Sequence, residues 1–243
     1  MMSLPRLTER SALFLDFDGT LADLAPRPDA VVIPRELPDL LRLLHEQLGG
    51  ALALVTGRPP EDVDLLLTPL QLPAAFEHGA IRRTASGALH VAVPPDLDAA
   101  IQAAMGLAAQ HPALLVEKKR TAVALHYRQA PELEALCLRT MAAALTADAG
   151  LTLLRGKAVV EIKSASVDKG LAITAFMAEA PFAGRTPCFA GDDVTDEAGF
   201  ESVQRHGGHG IKTGPGATVA SHRCADPSTL RDWLRESARL LQT

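Results

Sequence analysis

Ser11-Ala12-Leu13-Phe14-Leu15-Asp16-Phe17-Asp18-Gly19-Thr20 is the stretch that decides the fold. Its apolar run, Ser11 to Phe17, is too short for a helix and reads as a buried strand, and it carries two carboxylates two residues apart into a Gly turn signal. A helix follows at Pro34 to Leu48. Leu37, Leu40, Leu41, Leu44 and Leu48 recur on one helix face, and Gly49-Gly50 supplies the stop. Ala51 to Val55 then forms a second buried strand ending in Thr56-Gly57-Arg58, and Pro59-Pro60-Glu61-Asp62 opens another helix. Strand, helix, strand, helix predicts a parallel α/β sheet.

The rhythm changes near Val93-Pro94-Pro95. Asp96 to Gln110 has helical character, Leu114 to Glu117 and Thr121 to Tyr127 form paired strands, Glu132 to Ala147 is helical, and Ala158 to Lys163 is again a strand. That order suits a small α+β module. After Asp168-Lys169-Gly170 the first pattern returns, with a helix to about Glu179, a strand at Pro187 to Ala190, and helices near Val194 to Gln204 and Ser228 to Leu241. The expected organisation is therefore a discontinuous Rossmann-like host, 1–93 and 165–243, interrupted by an α+β insertion at 94–164.

Composition narrows the function classes. The 243 residues carry 24 basic and 29 acidic side chains, a formal charge of −5, with no Lys/Arg block, which argues against nucleic acid or an anionic membrane as partner. No apolar run approaches the ~20 residues that span a bilayer, and the stretch from Met1 to Leu15 lacks a signal-peptide core. A cytoplasmic protein is expected. Cys137, Cys188 and Cys224 are widely spaced and odd in number, so they read as small core hydrophobes in a reduced compartment.

In an open parallel sheet, ligands bind beyond the carboxyl ends of the strands. Four polar clusters fall there: Asp16/Asp18/Thr20, Thr56/Arg58, Lys169, and Asp192/Asp193/Asp196. Carboxylates gathered from distant strand ends repel one another unless a cation sits between them. Oxygen ligands without His or Cys suit Mg²⁺, and a metal so placed favours an anionic substrate, a phosphate above all.

Asp16-Phe17-Asp18-Gly19-Thr20 resembles the first motif of the haloacid dehalogenase superfamily, Val55-Thr56-Gly57 its second, Lys169 its third, and Gly191-Asp192-Asp193 with Asp196 its fourth. The insertion lies where that superfamily places a C2-type cap. Within it, the chain is most similar to the trehalose-6-phosphate phosphatases. Val116-Glu117-Lys118-Lys119, Ala124-Leu125-His126-Tyr127-Arg128, Gly156 to Lys163 and the whole stretch from Ala175 to Glu197 carry that resemblance. Ser164-Ala165-Ser166 departs from it, since the family usually has a Pro and a Gly before the motif-three Lys.

The resemblance implies a mechanism. Asp16 attacks phosphorus and forms an aspartyl-phosphate, while Asp18 protonates the departing sugar oxygen and later takes a proton from water. Mg²⁺ would be held by Asp16, Asp192 and the backbone carbonyl of Asp18, with Asp193 and Asp196 orienting those ligands. Thr56 and Lys169 bind the phosphoryl oxygens. The substrate implied is trehalose 6-phosphate, with functional coupling to a trehalose-6-phosphate synthase.

For the sugar, the resemblance implicates Glu117, Lys119, His126, Arg128, Lys157 and Glu161. Alternation puts Ala122, Ala124 and His126 on one strand face and Val123, Leu125 and Tyr127 on the other, and Val159, Glu161 and Lys163 also share a face. These polar faces meet either the substrate or solvent. Arg58 either binds substrate or caps its strand end. Lys118-Lys119-Arg120 marks a hairpin tip, His78 in Glu77-His78-Gly79 reads as a structural hydrogen-bonder, and Gly207-Gly208-His209-Gly210 reads as turn glycines. Two rival functions remain at this level: a phosphatase for sucrose phosphate or a glucosylglycerate phosphate, and a silent subunit that binds trehalose 6-phosphate.

Overall fold

The computed structural model describes residues 4–25, 30–145 and 150–242. Two compact units divide the chain, Met1–His90 with Asp168–Thr243, and Val91–Val167. The first opens with β1 (Ser11–Leu15), α1 (Leu37–Gln47), β2 (Leu52–Val55), α2 (Pro60–Leu67), β3 (Ala74–Phe76) and β4 (Ile81–Arg83), and β5 (Leu89–Val91) crosses into the second. In the second lie α3 (Asp98–Gln110), β6 (Leu115–Lys118), β7 (Ala122–His126), α4 (Glu134–Ala144), β8 (Leu151–Gly156) and β9 (Val159–Ser164). Then the first unit resumes with α5 (Lys169–Met177), β10 (Thr186–Gly191), α6 (Glu197–Arg205), β11 (His209–Thr213), β12 (His222–Cys224) and α7 (Pro227–Leu240).

β1 lies between β2 and β10, parallel to both, with Leu13 facing Leu52 on one side and Cys188 on the other. Every residue of β1 and β2 is buried, as continuous apolar strands in the middle of a parallel sheet must be. The strand order is β12-β11-β10-β1-β2-β3-β4-β5. Because β1 and β10 are adjacent though far apart in sequence, the chain after Leu15 and the chain after Gly191 leave the sheet at one place. Beneath that edge Phe14 stacks on Phe182, which also meets Phe176 of α5, at centroid separations of 5.4 and 5.0 Å.

The second unit is a four-stranded antiparallel sheet, β6-β7-β9-β8. Val123, Leu125, Val160 and Ile162 pack into one core with Ala100, Ala104 and Leu107 of α3 and with Cys137 and Met141 of α4. The opposite strand positions carry Ala122, Ala124, His126, Val159, Glu161 and Lys163, as alternation predicts. Ser164 to Val167 form a closed turn: the Ser164 and Ser166 hydroxyls lie 2.8 Å apart, the Val167 amide donates to the Ser164 carbonyl, and the Lys163 ammonium donates to the Val167 carbonyl.

Several elements differ from the sequence reading. β4, β5, β8, β11 and β12 were not expected, and α1 begins at Leu37 rather than Pro34. The expected helix from Val194 starts as one 3-10 turn, with α6 beginning at Glu197. Of the Gly-rich run, Gly207 is a turn residue with φ +74°, but His209 and Gly210 belong to β11, where Gly210 packs against Phe200. The helix expected from Glu132 runs as α4 over Glu134–Ala144, and the remainder of that expectation, 146–147, lies outside the described residues. Among the described residues no helix is long and apolar enough to cross a membrane.

Candidate active site

The candidate site lies wholly in the first unit, on the segments that leave β1, β2 and β10 and on the first turn of α5. Asp16 directly follows β1 and its amide donates to the Ala190 carbonyl of β10 at 2.9 Å, which ties the two loops together. Asp16 Oδ1 accepts from Lys169 Nζ at 2.7 Å, and Oδ2 accepts from the Thr20 hydroxyl at 3.1 Å. Lys169 is the first residue of α5, whose N-cap, Asp168, accepts from the Leu171 amide at 2.7 Å. Its ammonium also donates to Asp196 Oδ1 at 2.6 Å. The other Asp196 oxygen takes the backbone amides of Asp192 and Asp193, each at 2.9 Å. Asp196 is thus a fully buried bracket that holds a lysine with one oxygen and a loop with the other.

Two glycines make this approach feasible. A Cβ on Gly19, which has φ +74°, would stand 2.3 Å from Asp192 Oδ2, and one on Gly191 would stand 2.4 Å from the Asp196 carboxyl carbon. Oxygen atoms of Asp16, Asp192 and Asp196 all lie within 4.8 Å of one another. Burial pushes the Asp16 carboxyl well above the usual carboxylate range; Lys169 pulls it back, while Asp196 and Asp192 raise it further. Burial also works against the Lys169 ammonium, but Asp16 and Asp196 outweigh it and its pKa is raised. One lysine shared by buried carboxylates leaves the cluster short of positive charge. A hard divalent cation fits this all-oxygen donor set, since it would supply that charge.

Thr56 and Arg58 follow β2. The Thr56 hydroxyl accepts from the Arg58 amide at 3.2 Å, and the Arg58 guanidinium grips both oxygens of Asp18 at 2.6 and 2.7 Å while lying 5.7 Å from the centre of the Phe17 ring. The side chain of Asp18 is therefore turned to arginine and is not part of the carboxylate cluster. Glu77-His78-Gly79 supports the same loop: the His78 amide donates to the Thr56 carbonyl at 2.9 Å, and that of Glu77 to the Arg58 carbonyl at 3.0 Å.

In the second unit, the register places Glu117, Ala124 and Glu161 side by side across β6, β7 and β9. Lys119 and Glu161 form an ion pair at 2.7 Å, and His126 Nε2 lies 2.9 Å from Glu117 Oε2 on the neighbouring strand. Arg128 follows β7 and Lys157 sits in the β8–β9 turn, both exposed. Sequence reasoning missed the contact of Thr20 with Asp16, although Thr20 stands in the quoted motif, and it missed Lys212. Buried in β11, Lys212 donates its ammonium to the Asp192 carbonyl, and a lone Lys between Ile211 and Thr213 was the available signal.

Residues 14–232 match the trehalose-phosphatase family. The chain belongs to that family. A trehalose-6-phosphate phosphatase of Escherichia coli (strain K12) is 46% identical over 242 residues, covering 98% of this chain and 90% of the relative. A bifunctional trehalose-6-phosphate synthase/phosphatase of Thermoproteus tenax is 34% identical over 239 residues, 94% of this chain and 32% of that longer protein. The solved C-terminal domain of a C. albicans trehalose-6-phosphate phosphatase shares the fold at TM-score 0.86 and 19% identity, covering 96% of this chain and 93% of that one. Haloacid dehalogenase-like hydrolases of known structure share it too. This trehalose-phosphatase family member thus has an α/β core of haloacid dehalogenase type with an inserted α+β unit.

Proposed function

We propose that this chain hydrolyses trehalose 6-phosphate to trehalose and inorganic phosphate through an aspartyl-phosphate on Asp16. The observation that carries the reading is the meeting of Asp16, Lys169, Asp192 and Asp196 at one buried point, in a chain 46% identical to a trehalose-6-phosphate phosphatase. Asp16 is the nucleophile: its carboxylate oxygen forms the bond to phosphorus while the bond to the sugar oxygen breaks. Asp18, released from the bidentate grip of Arg58 and protonated from solvent, gives that oxygen a proton and then takes one from the water that attacks the phospho-enzyme, which returns Asp16 to its starting form. Thr56 and Lys169 hold phosphoryl oxygens, and Lys169 keeps Asp16 oriented through the 2.7 Å contact.

Asp16 and Asp192, with the main-chain carbonyl of Asp18, would hold Mg²⁺, and Asp193 and Asp196 would orient them. When bound, that ion neutralises phosphate charge that would otherwise repel the nucleophile. Arg58 acts first on Asp18, whose two oxygens it fixes. The inserted unit reads the sugar through Glu117, Lys119, His126, Arg128, Lys157 and Glu161, because acceptors and donors in fixed pairs reject ligands that lack the matching hydroxyls. Work in the cytoplasm and coupling to a synthase that makes the substrate complete the proposal, the latter supported by the fused synthase/phosphatase relative. The test is phosphate release from a panel of sugar phosphates, with Mg²⁺ and with chelator. Release from trehalose 6-phosphate above all others, abolished by chelator, is expected. Preference for another sugar phosphate would overturn the substrate, and no release from any would overturn the activity.

A further inference from the structure

Lys212 has no part in the chemistry above, yet it is one of the few buried ammonium groups in the first unit, only 4% exposed. It lies on β11 opposite Gly191 of β10, and its ammonium donates to the main-chain carbonyl of Asp192. Among the described residues it makes no ion pair. Taking an ammonium out of water without a carboxylate partner is costly, and an apolar side chain of similar length would fill the same volume at lower cost. What the lysine adds is a fixed carbonyl. The peptide on the other side of Asp192 is also held, since its amide donates to Asp196 Oδ2 at 2.9 Å. Both flanks of Asp192 are therefore clamped, by Asp196 before it and by Lys212 after it, and the carboxylate between them is pressed toward Gly19 and Asp16.

We propose that Lys212 is a positioning residue for the cation site: by holding the Asp192 carbonyl it keeps the Asp192 carboxylate facing Asp16. This inference rests on the proposed Mg²⁺ site. Its electrostatic and positioning effects have opposite signs, which makes it decidable. Removing a cation near a metal site favours a divalent ion, whereas freeing the Asp192 main chain disfavours it.

The experiment is calorimetric titration of Mg²⁺ into the substrate-free wild-type chain, Lys212→Met and Lys212→Arg. Groups that orient a metal ligand are worth roughly 10- to 100-fold in metal affinity, so the Met variant should bind Mg²⁺ that much more weakly. Arg retains donor and charge and should restore affinity to within a few-fold. Equal or tighter binding by Lys212→Met would overturn the proposal, as would a loss in Lys212→Arg as large as in the Met variant. A Met variant that does not fold, alongside an Arg variant that does, would make Lys212 a prop of the sheet and overturn it as well. Failure of the wild-type chain to bind Mg²⁺ is a different result: it would remove the cation site itself.

Discussion

The two units handle charge differently. In the first, Lys169 is shared by Asp16 and Asp196, and all three are buried, so each group depends on the others. In the second, Lys119, which follows β6, pairs with Glu161 of β9, and His126 of β7 pairs with Glu117 of the neighbouring β6, the latter pair partly exposed. Loss of Lys169 from the buried cluster would leave two buried carboxylates uncompensated. A partly exposed pair such as His126 with Glu117 can exchange a partner for a hydroxyl at smaller cost. Under the proposed function, phosphoryl transfer falls to the shared cluster, and recognition of the leaving group to the polar residues of the second unit.

The comparison predicts a graded series. Asp16→Asn should bring phosphate release below detection for trehalose 6-phosphate and for a small aryl phosphate alike, with the melting transition retained; measurable turnover on either substrate would end the role of Asp16 as nucleophile. Arg58→Met removes a bidentate charge-assisted grip on Asp18, worth about 1.5–3 kcal/mol. It should lower kcat/KM roughly ten- to a hundred-fold on both substrates, and a loss confined to trehalose 6-phosphate would instead place Arg58 on the sugar. Glu161→Ala should show the opposite profile. Its loss on trehalose 6-phosphate should be of the same order, about ten- to a hundred-fold, with the aryl phosphate unaffected, and equal losses would make Glu161 a support of its own sheet.

The smallest effect concerns the thiols. Burial pushes Cys188, in the central sheet, up to about 12, and Cys137 in α4 is also raised by burial. A thiol whose folded pKa exceeds the unfolded value of about 8.5 adds stability that is complete below that pH and declines as pH rises toward the folded value. Native protein should thus resist a thiol-reactive chromophore at pH 8. In mild denaturant Cys137 should label before Cys188, because the smaller core opens at lower free energy. Labelling at one rate would show that the two units unfold together.

How much the sequence disclosed follows from the same physics. β1 and β2 were legible because strands buried on both faces are unbroken apolar runs, and their polar ends stand out sharply. β5 is exposed at all three positions and β8 nowhere fully buried, so neither carries the apolar signal of a central strand. β11 and β12 were hidden by His209, Lys212, His222 and Arg223, polar residues in short strands. The site motifs showed which residue types to expect, whereas their pairing needed the fold. Arg58 grips Asp18 across forty positions of chain, and nothing in either motif names the other as partner.

The place where the inserted unit ends has a consequence for protein engineering. Val167 closes a turn with Ser164, and the next residue, Asp168, already caps the helix that begins with Lys169. At this end the inserted unit and the helix of Lys169 meet between Val167 and Asp168. A chimera that imports another family member's insert can be spliced after Val167 with Asp168 left in place, whereas a graft carried one residue further would exchange the cap that starts the lysine's helix.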